Sequence, residues 1–189
     1  MKTKHHLLPQ HLLSQLANKY QCNPLGINLR KVLKNLFHEN PPQELAIAID
    51  RFCIAALTEG HAWQQGSPAN ALHLGHTIEL LIEIAYLLHQ KNSKVKTNHK
   101  LPDRLKLLPA FLPMPLNAAE YKQPQLFLSA FFKYQCIQKW KLLLACFTES
   151  ALGTGSVAEE RPRPELLQFN LYLKKLVYTV WRRVMLDSR

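Results

Sequence analysis

Apolar residues recur along this chain at helical rather than strand spacing, and the longest such stretch, Ser67 to Lys91, predicts the helix on which the rest is built. Ser67 suits an N-cap, and Pro68 suits a first helical position, where no backbone N–H is needed. His89 and Lys91 fall in the last turn, where positive or polarisable groups meet the carbonyl end. From Ile78 to Leu88 the pattern is apolar on almost every side, broken only by Glu79 and Glu83. A helix apolar all round belongs inside a bundle.

The remaining elements follow in order. Leu12, Leu13 and Leu16 predict a short amphipathic helix over residues 9–20, and Leu29, Val32, Leu33, Leu36 and Phe37 predict a second over 27–37. After Asn40-Pro41-Pro42, a helix over 43–60 carries the stripe Leu45, Ile49, Phe52, Cys53, Ala56 and Leu57, with Gly60 as its terminator. Its short connection to the central helix predicts antiparallel neighbours. A lysine-rich loop over 92–100 comes next. Pro102, Pro109, Pro113, Pro115 and Pro124 then forbid a long helix, so 101–124 reads as a helical turn or two near Arg104 and an extended strap. An aromatic-rich helix over 125–150 and a last helix over 164–186 complete the series, the latter with Leu167, Leu171, Leu173, Leu176, Val177, Val180, Val184 and Met185 mostly inward. Strand signals are weak throughout. The expected fold is all-α: one domain over 1–189, a bundle of four long helices with two short N-terminal helices and a proline-rich strap.

Composition fits that expectation. The chain has 189 residues, of which 47% are hydrophobic and 20% charged, the balance of a globular domain large enough to bury its own core. The four cysteines are widely spaced, without a CxxC pair, and read as buried thiols of a reducing compartment. No apolar stretch follows the opening Met-Lys-Thr-Lys as a signal peptide requires, and no run reaches the roughly 18 to 20 apolar residues of a membrane span, so a cytoplasmic protein is expected. Net charge is +11. It is unevenly placed: residues 41–90 sum to −4, whereas 91–141 sum to +8. A chain basic around an acidic middle suits nucleic acid or an acidic protein as partner.

Candidate chemistry lies in two places. His73, His76, Glu79 and Glu83 form a drifting stripe on the central helix, and Glu79 and Glu83 repel at i,i+4 unless compensated. Imidazoles and carboxylates facing a bundle build di-metal sites. Such sites draw Glu-x-x-His motifs from two helices, and here the order is reversed with no matching pair elsewhere. An ion pair with Arg51, Lys133 or Lys139, or plain exposure of one edge of the helix, is the competing explanation, and no metal or other cofactor is expected. The second place is basic: Lys94, Lys96, Lys100, Arg104 and Lys106 around the loop, and Lys174, Lys175, Arg182 and Arg183 interleaved with Tyr172, Tyr178 and Trp181 on the last helix. Cations beside aromatic rings are what single-stranded nucleic-acid binding uses. The competing arrangement has the rings inward and the lysines solvating the outer face. No nucleophile elbow or phosphate-binding glycine loop is present, and Cys53 reads as core.

Glu79-Leu-Leu-Ile-Glu-Ile-Ala-Tyr-Leu-Leu-His-Gln-Lys91, a polar loop, and then His99-Lys-Leu-Pro-Asp-Arg-Leu105 resemble the HEPN family of small helical bundles over about 30 residues. Active members of that family carry Arg, four to six residues, then His as a ribonuclease motif. Arg51 and His61 are nine residues apart, and no histidine follows His99. The resemblance therefore implies a helical bundle with a non-catalytic binding or antitoxin-like role. The expected function is a non-enzymatic interaction module that binds an acidic protein or nucleic acid through basic faces. The alternative is a degenerate HEPN-type ribonuclease or a metal-dependent bundle enzyme. The pattern leaves oligomeric state open.

Overall fold

The computed structural model describes residues 29–60, 63, 66–92, 115–159 and 161–186, and among these the fold is all-α, with no strand. The helices are α1 (Leu29–Glu39), α2 (Pro42–Leu57), α3 (Pro68–Asn92), α4 (Ala118–Lys122), α5 (Pro124–Tyr134), α6 (Ile137–Leu152) and α7 (Arg163–Leu186), with a 3₁₀ turn at Val157–Glu159. The predicted helix over 9–20, the lysine-rich segment from 93 to 100 and the strap as far as 114 lie outside the described residues.

Four helices form a square. α6 packs against both α2 and α3, α7 against the same two, and α5 against α3 and α7. The expectation that α2 and α3 are close neighbours is corrected: they touch little and stand diagonally across the core, because α6 lies between them. The core is an aromatic column. Phe52 packs on Trp63 and Phe147, Phe147 on Phe169 at 4.4 Å, Phe169 on Trp140, and Trp140 on Phe131 at 4.2 Å with an interplanar angle of 9°. Phe52, Phe131, Phe147, Trp140 and Phe169 are fully buried, and each such ring removes a large apolar area from water.

The single helix expected over 125–150 is two. The chain leaves helical geometry at Gln135 (φ −143°, ψ 148°) and Cys136 (φ −70°, ψ 159°), without glycine or proline to mark the corner. Trp140 holds it. Its ring stacks on Phe131, and its indole N–H donates to the Phe131 carbonyl at 3.2 Å, one of the carbonyls that the end of α5 leaves open.

Three smaller differences have local causes. α2 stops at Leu57 rather than Gly60, with the Thr58 hydroxyl donating to the Ile54 carbonyl at 2.7 Å, while Gly60 takes φ +77° in the following loop and its N–H donates to Thr154 O. α4 appears inside the expected strap because Asn117 and Glu120 close a capping box, each side chain accepting the other's backbone N–H at 2.9 Å or less. Leu167 and Leu171 on α7 point outward, with 70% and 41% of their surface exposed, since Leu166, Phe169 and Leu173 take the core-facing side.

The expectation that no segment is long enough for a membrane is also amended. Pro68–Gln90 meets that test by length and composition alone, and 61% of its apolar window is buried inside the bundle, as in the core helix of a globular fold.

Trp140→Phe keeps a ring in the stack and removes the indole donor. Because Phe131 O still accepts from Gln135 N, the expected loss is about 1 kcal/mol, read as a lower urea midpoint with an unchanged slope.

Candidate functional site

α3 and α6 run antiparallel and approach closely where a Cβ on Gly75 would lie 3.0 Å from Thr148 Oγ1. Farther along the same seam, Lys141 Nζ sits 2.7 Å from Glu79 Oε1 and 2.7 Å from Glu83 Oε1. One ammonium thus relieves the i,i+4 carboxylate repulsion seen in the sequence. The compensating cation is Lys141, and not Arg51, Lys133 or Lys139 as expected. Burial alone would lower the Lys141 pKa, but hydrogen bonds and charge from the two carboxylates outweigh it, and the net shift is upward. A lysine held protonated in this way is a poor general base.

The groove beside this triad, of about 320 Å³, is lined by Leu72, Gly75, His76, Glu79, Lys141, Leu144, Ala145, Thr148 and Glu149. A second groove, of about 280 Å³, opens on the other side of α3 between Asn40, Glu44, Trp63, Asn70 and His73. The stripe read from the sequence is therefore divided: His73 belongs to one groove, His76 and Glu79 to the other, and Glu83 is buried against Lys141. No group of three or more metal-ligating side chains converges among the described residues.

Two further groups in the interior, His89 and Cys53, are held neutral by burial. His89 stacks on Phe132, with ring centroids 5.5 Å apart, and its Nδ1 lies 3.1 Å from the Gln125 amide nitrogen, so it accepts there; burial lowers its pKa and favours the neutral ring. Burial pushes the Cys53 thiol up to about 12, opposed by a hydrogen bond with Asn170, so this cysteine stays protonated and is no nucleophile.

The basic residues of α7 turn to the fold itself. Lys174 bonds Asp50 Oδ1 at 2.7 Å, where Asn170 also donates at 3.0 Å. Lys175 meets both oxygens of Glu120 at 2.9 Å and lies over the Phe127 ring. Arg182 is fully buried, with its guanidinium 4.3 Å from the Tyr121 ring centroid and Nε donating to Tyr121 O at 3.3 Å. Arg183 is half-buried beside it. The interleaved aromatics explain this: Tyr172 and Tyr178 pack inward, and the cations fold over α2 and α4. Lys94, Lys96, Lys100, Arg104 and Lys106 lie outside the described residues. Sequence reading missed Lys141 and Glu120; the compensation that Glu79 and Glu83 demand pointed to the first, and the Asn117-x-x-Glu120 spacing to the second.

Fold and site together define a class: among the described residues, an all-α bundle in which Asp50, Glu79, Glu83 and Glu120 are met by lysines and in which His73, His76 and His89 stand apart from one another. Comparison with protein-family models, curated proteins and solved structures gave no match for this chain.

Lys141→Met should destabilise the fold by about 1–2 kcal/mol at neutral pH, below the 3–5 kcal/mol of a fully buried broken pair because Glu79 and Lys141 are partly exposed. The folded pKa of Lys141 is raised, so its contribution is complete below the unfolded lysine value of about 10.4 and is lost as pH rises through the folded value. Urea melts of both proteins across the alkaline range should show the gap closing; a gap that widens there would contradict the assignment.

Proposed function

We propose that this chain is a non-enzymatic helical interaction module, binding an acidic protein or nucleic acid through a basic surface. The observation that carries the reading is the fate of the acids. From Pro115 to Thr148 the one acidic residue is Glu120, and it is closed on Lys175, while Lys122, Lys133 and Lys139 stand exposed on α4, α5 and α6. This stretch follows directly on the segment holding Lys94, Lys96, Lys100, Arg104 and Lys106. The dispersal of His73, His76 and His89, the protonated state of Lys141 and the inert Cys53 support binding over catalysis. The internal pairing of Lys174 and Lys175 moves the reading from α7 toward α4, α5 and α6.

Fluorescence anisotropy with labelled RNA and DNA across a salt series tests this. Each phosphate contact adds about 0.7 to the log–log slope for single strands and about 0.9 for duplex, so Lys133→Ala/Lys139→Ala should flatten it by roughly 1.4 to 1.8. Lys174→Ala/Lys175→Ala should lower stability and leave the slope alone, because both ammonium groups are used inside the fold. Polyglutamate in the same assay separates the two partners. Binding to neither polyanion at low salt would defeat the reading.

A further inference from the structure

We propose that Thr179 and Arg182 of α7 form an interior site for a small oxyanion, phosphate or carboxylate, beneath α4. Arg182 is 0% exposed, yet among the described residues neither terminal nitrogen of its guanidinium has a hydrogen-bond partner. Its Nε donates to Tyr121 O, and the group lies over the Tyr121 ring. Thr179, one turn earlier on the helix, is also 0% exposed, and its hydroxyl has no partner among the described residues. Buried polar groups are almost always hydrogen-bonded and buried charges almost always paired, so two such side chains on one face point to a ligand.

The charges on this face are out of balance. Lys175, Thr179 and Arg182 fall at i, i+4 and i+7, which sets them along one side of α7, and α4 lies against it through Glu120 and Tyr121. Glu120 gives both carboxylate oxygens to Lys175 at 2.9 Å. No carboxylate among the described residues is left to counter Arg182: burial lowers its pKa, and Tyr121 supplies the opposing charge effect. A guanidinium keeps its proton in proteins, so the shortfall is not met by neutralisation. A water molecule would satisfy the donors without bringing charge. A carboxylate or phosphate does both, because two of its oxygens match the fork of terminal nitrogens while the Thr179 hydroxyl donates to an oxygen from the preceding turn.

Access also selects a small ligand. The unpartnered atoms are sealed from water, so the anion enters as α4, a helix of five residues, shifts outward from α7. A single ion can be enclosed in this way, and a polymer cannot. The site is therefore separate from the exposed lysines of the polyanion surface.

Thermal melts at fixed ionic strength, with sodium chloride exchanged for sodium phosphate or sodium acetate, test the assignment. The wild type should melt higher in at least one oxyanion, by about 3–6 °C for each tenfold rise in concentration above the dissociation constant. General salt effects act alike on every variant, so the difference between variants carries the result. Arg182→Met should lose the response. Thr179→Val removes a hydroxyl that holds nothing in the fold, so it should melt no lower than wild type in chloride yet need at least tenfold more oxyanion for the same rise. Should Arg182→Met fail to fold, Thr179→Val decides alone. A response to phosphate only assigns a phosphate ligand, and a response to acetate only assigns a carboxylate. Equal rises in wild type and either variant, or no rise of the wild type in either salt, would overturn the proposal. No polyanion is present in these melts, so failure of the polyanion reading leaves them unaffected.

Discussion

The seating of Trp140 on Phe131 is the contact on which the bundle's layout depends. It closes the corner between α5 and α6, and it joins that corner to the column running through Phe169, Phe147 and Phe52 to Trp63. With the corner in place, α6 is delivered between α2 and α3, and α5 is left against α3 and α7. A straight helix over the same residues would carry α6 past the groove it fills.

Charge is arranged around that frame in a consistent way. Four carboxylates, Asp50, Glu79, Glu83 and Glu120, are each met by a lysine from another helix, and three lysines serve all four. Surface ion pairs between long side chains contribute little, but Glu83 and Glu120 are largely buried, so their partners are obligatory. The pairing consumes cations that in the sequence looked free for a ligand. Net charge alone overstates how much of a basic helix faces outward.

The helical fold was legible because periodicity survives without tertiary information. The broad assignments of α1, α2, α3 and α7 came from apolar spacing, and the start of α3 came from Ser67-Pro68. The break at Gln135 was not legible, because no proline, glycine or strong cap stands there; the cause is a ring and an N–H five residues downstream. α4 carried its signal in Asn117 and Glu120 but was hidden by the surrounding prolines. At the site, Glu79 and Glu83 announced that a cation was needed, yet only the antiparallel packing of α6 on α3 selects Lys141 from three lysines near that turn. Leu167 and Leu171 misled because leucines spaced four apart read as core, and which stripe of α7 turns inward is decided by Phe169.

Apolar helices are slippery: ridges of similar aliphatic residues fit neighbouring grooves nearly as well after a shift of one turn, about 5.4 Å. The contact between α3 and α6 carries a vernier against this. Lys141 reaches Glu79 and Glu83 together, and these are spaced by one turn, so it sits midway between two marks on the ruler. A shift by one turn in either direction leaves a carboxylate stranded, one of them in a nearly dry position. The like-charge pair that looks like a defect in the central helix therefore sets its alignment, allowing the aromatic column to form at one height only.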